Sequence, residues 1–275
     1  MTDLLQTARQ GATYAGLWEA ADLQWWWRKD QHQDVEAATF WLNERQPVAA
    51  TICTDWGAYV GLDILRVDPG SNELLDLVWP RAMERIAELA DGTIEMLIDE
   101  ADSTLAVAAG RAGFVATDHT DVTAWMDAGR RPSVAPPPNG YRLVSRDQAG
   151  DRPHHMIARN GDAVEQRLAE CSLYRADLDL AVYDTDGEVA AYGLFWADPH
   201  TGVGLVEPMR TEEPFQQRGL GRAVLTAGLD RLAAAGCERF KVSYLPDNDA
   251  ARHLYLGAGF TDASTSRTWT RGRHH

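Results

Sequence analysis

Residues 212–223 read EEPFQQRGLGRA, and within them Gln216, Gly219 and Gly221 make a Gln-x-x-Gly-x-Gly spacing. Glycines let backbone amides approach an oxyanion without interference from a Cβ, and the first turn of a helix carries unpaired N–H groups and a partial positive charge. The chemistry this spacing offers is a cradle for a pyrophosphate, with Arg218 and Arg222 able to add charge-assisted contacts. A glycine pair at a turn has that meaning only where a strand runs into the loop and a helix leaves it.

The flanking sequence predicts that context. Residues 202–211 are β-rich and alternating, and 219–235 are amphipathic at helical spacing. Ahead of them, 141–144 reads as an opening strand, 153–159 and 163–171 as helices, and 178–183 with 189–196 as a hairpin around the Asp186-Gly187 turn. Downstream, 239–245 is β, 249–256 is helical behind Asn248, and the chain returns as strand from Phe260. The expected class is a mixed α/β (α+β) domain whose central sheet is partly antiparallel.

Together with DNDAARHLYLGAGF at 247–260, the glycine loop resembles the GNAT superfamily of N-acyltransferases. Asn248, Ala251, Leu254, Tyr255, Gly259 and Phe260 fall on the family's pattern, LVEPMRT at 205–211 resembles its fourth strand, and the resemblance covers 140–271. It implies a sheet splayed open beside that strand, with the pantetheine arm of acetyl-CoA against Met209, Arg210 and Thr211. The pyrophosphate would rest on Gln216, Gln217, Arg218, Gly219, Leu220, Gly221 and Arg222, and Asn248, Ala251 and Tyr255 would complete the cofactor site. The resemblance further implies direct transfer of the acetyl group to a free amine. Such a reaction needs a base for the ammonium, a donor for the oxyanion and a proton for the departing thiolate. Glu207 is the candidate base, directly or through water, the Met209 N–H the candidate oxyanion donor, and Tyr255 the candidate acid. A ring packing its helix onto the sheet is the competing role for Tyr255, and a carboxylate held by an arginine is that for Glu207.

With 275 residues the chain has room for two domains. The run GRRPSVAPPPNG at 129–140, with prolines at 136–138, forbids helix and reads as a spacer. The expected division is 1–130, a proline-rich linker at 131–139, and 140–275. Each half carries a Gly-x-Ala-Gly-Phe-like core, Phe260 lying 146 residues after Phe114, which predicts a tandem duplication: two GNAT domains. In the first half RVDPGSNELL (66–75) stands where the glycine loop would be, Asp102 matches Asn248, and Ala109 matches Tyr255. The first half is thus expected to be a degenerate copy that no longer binds CoA, with Asp99 and Asp102 opposing a phosphate.

A net charge of −15 would repel a nucleic-acid backbone and favour a cationic partner such as an amine. No run is apolar and long enough to span a bilayer, the start MTDLLQTARQ lacks a secretion pattern, and the three cysteines are odd in number and unpaired by metal spacing, so the expected location is the cytoplasm. The pairs His154-His155 and His274-His275 lack further ligands at metal spacing, and no metal is expected. Asp198 and His200 read as turn residues, Tyr174 as part of a variable acceptor-side segment, and Trp18, Trp25, Trp26, Trp27 and Trp41 as core, interface or pocket wall. The leading expectation is an acetyl-CoA-dependent N-acetyltransferase acting on a small-molecule amine. A protein lysine or N-terminal acetyltransferase and a non-catalytic CoA-binding sensor are the alternatives. Acceptor, acyl length and oligomeric state are not written in the sequence.

Overall fold

The computed structural model describes residues 1–11, 16–26, 28, 38–89 and 92–272. The chain clusters into two compact units: Met1–Ala20, Gln31–Thr123 and Ala263–His275 form the first, and Ala21–Asp30 with Ala124–Asp262 the second. The proline-rich stretch therefore lies in the second unit, and each unit takes one segment from the opposite end of the chain.

The first unit holds α1 (Thr2–Gly11), β1 (Ala38–Asn43), β2 (Gln46–Asp55), β3 (Val60–Arg66), α3 (Asn72–Leu89), β4 (Ile94–Asp99), α4 (Ser103–Arg111), the start of β5 (Val115–Asp127) and most of β11 (Thr261–Arg271). The short helix α2 (Ala20–Trp26) belongs to the second unit save for its first residue. β1, β2 and β3 form an antiparallel meander, β3 pairs parallel with β4, and β11 pairs antiparallel with β4. Ala49, Leu62, Val78, Ala82, Ile86, Met96, Ile98 and Phe114 belong to the buried core between the sheet and the helices α3 and α4.

The second unit continues with β6 (Arg142–Ser145), α5 (Ile157–Asn160), α6 (Val164–Ala169), β7 (Asp179–Tyr183), β8 (Val189–Asp198), β9 (Val203–Thr211), α7 (Leu220–Ala234), β10 (Arg239–Tyr244) and α8 (Asp249–Ala258). Its strands run in the order β10-β9-β8-β7-β6, antiparallel except for the β9–β10 pair. The mixed α/β class expected from the sequence is the one observed. β7 and β8 turn at Asp184–Glu188, where Asp184 Oδ1 accepts from the amides of Asp186 (3.0 Å) and Glu188 (2.8 Å) and Gly187 adopts φ +87°. The apolar runs of β8 and α7 pack face to face, and Gly228 makes this possible: a Cβ there would overlap the Phe195 ring.

The two units share a local device. Asp102 caps α4 by accepting from Leu105 N at 3.1 Å, and Asn248 caps α8 by accepting from Ala251 N at 3.1 Å. Each such cap satisfies a helix N–H and contributes about 1 kcal/mol.

Candidate functional site

The site of the second unit is built around the end of β9. β9 and β10 pair only at Val203–Arg239, Gly204–Phe240 and Leu205–Lys241. Beyond Leu205 the edge of β9 facing β10 carries no pairing, and this open edge holds Glu207, Met209, Arg210 and Thr211. On its other side β9 is bulged against β8: Val206 pairs Phe195 and Met209 pairs Gly193, so Glu207 and Pro208 stand out of register. Trp196 Nε1 donates to the Glu207 carbonyl at 2.8 Å and fills the acceptor that the bulge releases.

From Thr211 the chain passes through a short 3-10 turn, Glu213–Phe215, and enters α7. Gly219 is the N-cap, at φ +79°, with no side chain bonded to the helix amides, and Gln217 also takes a positive φ of 60°. Gln216, Gln217, Arg218 and Gly219 are exposed. The first turn therefore presents backbone N–H groups of Gly219 to Arg222 without an internal cap, as an anion cradle requires. A Cβ on Gly221 would lie 3.2 Å from Thr211 Oγ1 and 3.6 Å from Leu254 Cδ2, so this glycine brings α7, β9 and α8 together. Arg222 is exposed beside it. Arg218 is already engaged, donating to Tyr141 Oη (2.7 Å) and the Pro214 carbonyl (2.9 Å). Arg210 and Arg159 both donate to Glu212, each at 3.0 Å, which leaves Arg210 its backbone for a ligand.

α8 supplies the opposite wall. Asn248 and Ala251 sit in its capped first turn, and Tyr255 one turn further on is buried against Tyr244 and Phe260, with ring centroids at 5.9 and 6.0 Å. Burial raises the phenol above its ordinary range, and the Glu207 carboxyl acting through space raises it further. Tyr255 is thus both a packed ring and a phenol in the field of Glu207. No hydrogen bond ties its hydroxyl to any other described residue.

Burial also dominates at Glu207, whose carboxyl is pushed up to about 7. Asp22 adds to the rise, while Arg28 and a hydrogen bond from Trp25 oppose it. These three residues come from the segment 21–30, which the sequence reading had not tied to Glu207. Arg28 lies 3.9 Å over the Trp25 ring and donates to Asn160 Oδ1 at 3.0 Å. Lys241 of β10, buried, approaches Asp22 to 4.0 Å. The run of tryptophans was the one sequence signal for this segment. Trp25 hydrogen-bonds the Glu207 carboxyl, Trp26 ends the same helix α2, Trp18 and Trp41 lie in the first unit, and Trp27 falls outside the described residues.

Next to this site lies a buried polar cluster. His154 Nε2 and Tyr174 Oη each approach Asp179 Oδ2 to 2.9 Å, and the Met156 N–H donates to His154 Nδ1 at 3.2 Å. His155 Nε2 is 2.9 Å from Asp179 Oδ1 but off the line of a hydrogen bond, so both atoms lack a bonded partner. Burial pushes Asp179 up, but the two imidazoles outweigh it and the net shift is downward. The sequence reading found no third ligand for the histidine pair; Asp179 brings one within 4.8 Å. The bond from Met156 fixes His154 as an Nε2–H tautomer donating to Asp179, which opposes metal ligation through Nε2. His274 and His275 lie outside the described residues. Asp198 Oδ1 accepts from the His200 amide at 2.9 Å, a turn contact. Among the described residues no helix is long and apolar enough to cross a membrane.

Residues 143–260 match the acetyltransferase (GNAT) family. A mycothiol acetyltransferase of Clavibacter michiganensis is 32% identical over 151 residues, 50% of this chain and 47% of that protein. One from Clavibacter sepedonicus is 35% identical over 108 residues, 39% of this chain and 34% of that protein. The matches span about half or less of these relatives. Among solved structures, a tandem GNAT protein from the clavulanic acid biosynthesis pathway superimposes with a TM-score of 0.72 at 17% identity, covering 98% of this chain and 93% of its own. A GCN5-related N-acetyltransferase from Sphaerobacter thermophilus gives 0.66 at 15% identity, covering 98% and 91%. At these identities the two structures speak for the fold.

Proposed function

We propose that the chain, whose residues 143–260 form a GNAT-family domain, transfers the acetyl group of acetyl-CoA directly to a primary amine of a small molecule. Acetyl-CoA supplies an acyl group activated as a thioester. The observation that carries the reading is the placement of Glu207 beside the open edge of β9, in electrostatic contact with Tyr255, with its carboxyl at about 7. A carboxyl so tuned accepts a proton from an ammonium near neutral pH far better than an ordinary glutamate. Tyr255, held neutral, is suited to give a proton to the departing sulfur, and the Met209 N–H to bond the oxyanion. The uncapped start of α7, from Gln217 to Arg222, fits a diphosphate, and the exposed amides of β9 at Met209 and Thr211 fit the amide groups of a pantetheine arm.

Glu207 and Asp22 together favour a cationic acceptor, and Trp25 and Arg28 bound the space in which it is deprotonated. Relatives named for mycothiol favour a small-molecule acceptor over a protein lysine. The test is turnover of acetyl-CoA with a panel of small amines by the parent chain, Glu207→Gln and Tyr255→Phe, with acetyl-CoA binding measured by calorimetry on each. The reading expects binding near one equivalent in all three, removed by Gly221→Asp, and turnover in both variants about 10²-fold or more below the parent. Equal turnover in Tyr255→Phe would sink the acid assignment, and binding without turnover on any amine would leave a CoA-binding sensor.

A further inference from the structure

The first unit holds a partly open cavity of about 490 Å³, well within the range of small-molecule sites. It exists because β3 and β4 pair only at Val60–Ile94 and Gly61–Glu95 and then separate, leaving a gap that α1 and the start of α4 flank without filling. Its wall is mainly apolar, with Leu5, Leu17, Leu62, Met96 and Leu105.

The charges around it are unequal in their commitments. Arg9 is paired with Glu19, and Arg66 with Asp102, while Arg66 also donates to the Ser71 carbonyl at 3.3 Å. Both guanidinium groups are thus already matched to carboxylates. Asp68 and Asp99 accept from turn amides, Gly70 N at 3.0 Å and Ala101 N at 2.9 Å. Asp63 stands apart. Trp18 Nε1 donates to its Oδ1 at 3.1 Å, and no cation among the described residues pairs with it. A diphosphate entering here would meet three carboxylates and two neutralised arginines, which excludes the ligand that the second unit is built for.

We propose that this cavity is a binding site for a small primary amine with an apolar body, its ammonium on Asp63 and its hydrocarbon along Leu5, Leu17, Leu62 and Met96. A cation is what the unpaired carboxylate lacks, and hydrocarbon is what the rest of the wall accommodates. The site does not depend on acetyl transfer in the second unit.

Burial supports the assignment by pushing Asp63 up to about 7, the Trp18 bond only partly offsetting it. An ammonium restores ionisation and expels the proton, so affinity should climb about tenfold per pH unit below 7 and level above it. Among the other groups near Asp63, Cys53 is pushed up to about 11 and Tyr59 is raised, so neither supplies a break near 7. Arg9, Arg66, Asp68, Asp99 and Asp102 complete the charged wall.

The experiment is calorimetric titration of the full chain with n-hexylamine and with n-hexanol, its neutral counterpart, between pH 5.5 and 8.5. It is run in a Glu207→Gln background so that the second unit's carboxyl is not read. We expect hexylamine to bind at roughly one per chain, about tenfold or more tighter than hexanol at pH 8. Asp63→Asn should abolish the preference, and Ala8→Phe, which fills the cavity from α1, should abolish both ligands; a far-UV circular dichroism spectrum and thermal melt like the parent's show each variant to be folded. Equal binding of the two ligands, no binding of hexylamine, or a preference surviving Asp63→Asn overturns the proposal. So does a second equivalent of acetyl-CoA that survives Gly221→Asp and is blocked by Ala8→Phe.

Discussion

Trp196 and the Glu207 carbonyl are joined by a 2.8 Å hydrogen bond across the bulge between β8 and β9. The indole is fully buried, so the bond anchors the backbone of Glu207 from inside the sheet while its carboxyl interacts with Asp22, Trp25 and Arg28. Replacing Trp196 with Phe leaves that carbonyl without its donor. The expected cost is about 1–3 kcal/mol in denaturant unfolding. Turnover should fall more than acetyl-CoA affinity, since the residue displaced is Glu207 and not the start of α7. A calorimetric loss of acetyl-CoA binding equal to the loss of turnover would contradict this.

The pH dependence of kcat/KM should follow the Glu207 carboxyl. As a base it works only when deprotonated, so activity is low in acid, rises through about pH 7 and then levels. Glu207→Gln should remove that limb and lower the plateau about 10²- to 10⁴-fold. An acid limb near an ordinary glutamate value would place the base elsewhere.

The same carboxyl should make the native state less stable as pH rises. Its folded value of about 7 lies above the ordinary 4.5, so between those values the unfolded chain ionises while the folded one still holds its proton. The stability contribution is complete below the ordinary value and lost as pH passes through 7. Thermal melts of Glu207→Gln against the parent should therefore favour the variant at pH 8 and differ least at pH 4.5.

Asp179 should behave in the opposite sense. Its folded value is depressed, so its contribution is present at neutral pH and lost as pH falls below about 4, the ordinary range for aspartate. Asp179→Asn removes the carboxylate that His154 and Tyr174 bond and is expected to cost about 1–3 kcal/mol at pH 7. Urea unfolding at pH 7 and pH 3 should show the gap narrowing in acid.

Gly228→Ala should destabilise the second unit by about 1–3 kcal/mol, because the new methyl overlaps the Phe195 ring and overpacks the α7–β8 contact. Phe195→Leu in the same chain should recover part of that loss, which a double-mutant cycle would detect.

The elements of the second unit were legible because their signals are local. The Asp186-Gly187 turn, the Asn248 cap and the run from Gln216 to Gly221 each declare themselves within a few residues, and the strands and helices between them repeat at periods of two and 3.6. Glu207 and Tyr255 were readable only through the family pattern. What surrounds them was not legible: Asp22, Trp25 and Arg28 precede Glu207 by about 180 residues and obey no spacing with it. Asp179 lies 25 residues beyond His154, and only the folding of β7 brings them together. The cavity beside Asp63 was equally hidden, since an apolar strand with one aspartate reads the same whether the neighbouring strand closes on it or parts from it.

The segments that each unit takes from the far end of the chain bear on how such a protein can be divided. A gene split at Pro136–Pro138 would give one polypeptide carrying Asp22, Trp25 and Arg28 without the Glu207 they surround, and another carrying β11 without the β4 it pairs with. Neither product is a whole unit, and each holds a fragment that the other lacks. The halves are therefore suited to complementation: co-expressed, they have reason to reassociate, and separately expressed, each has an unfilled strand or helix position that a peptide copy of the missing segment would fit.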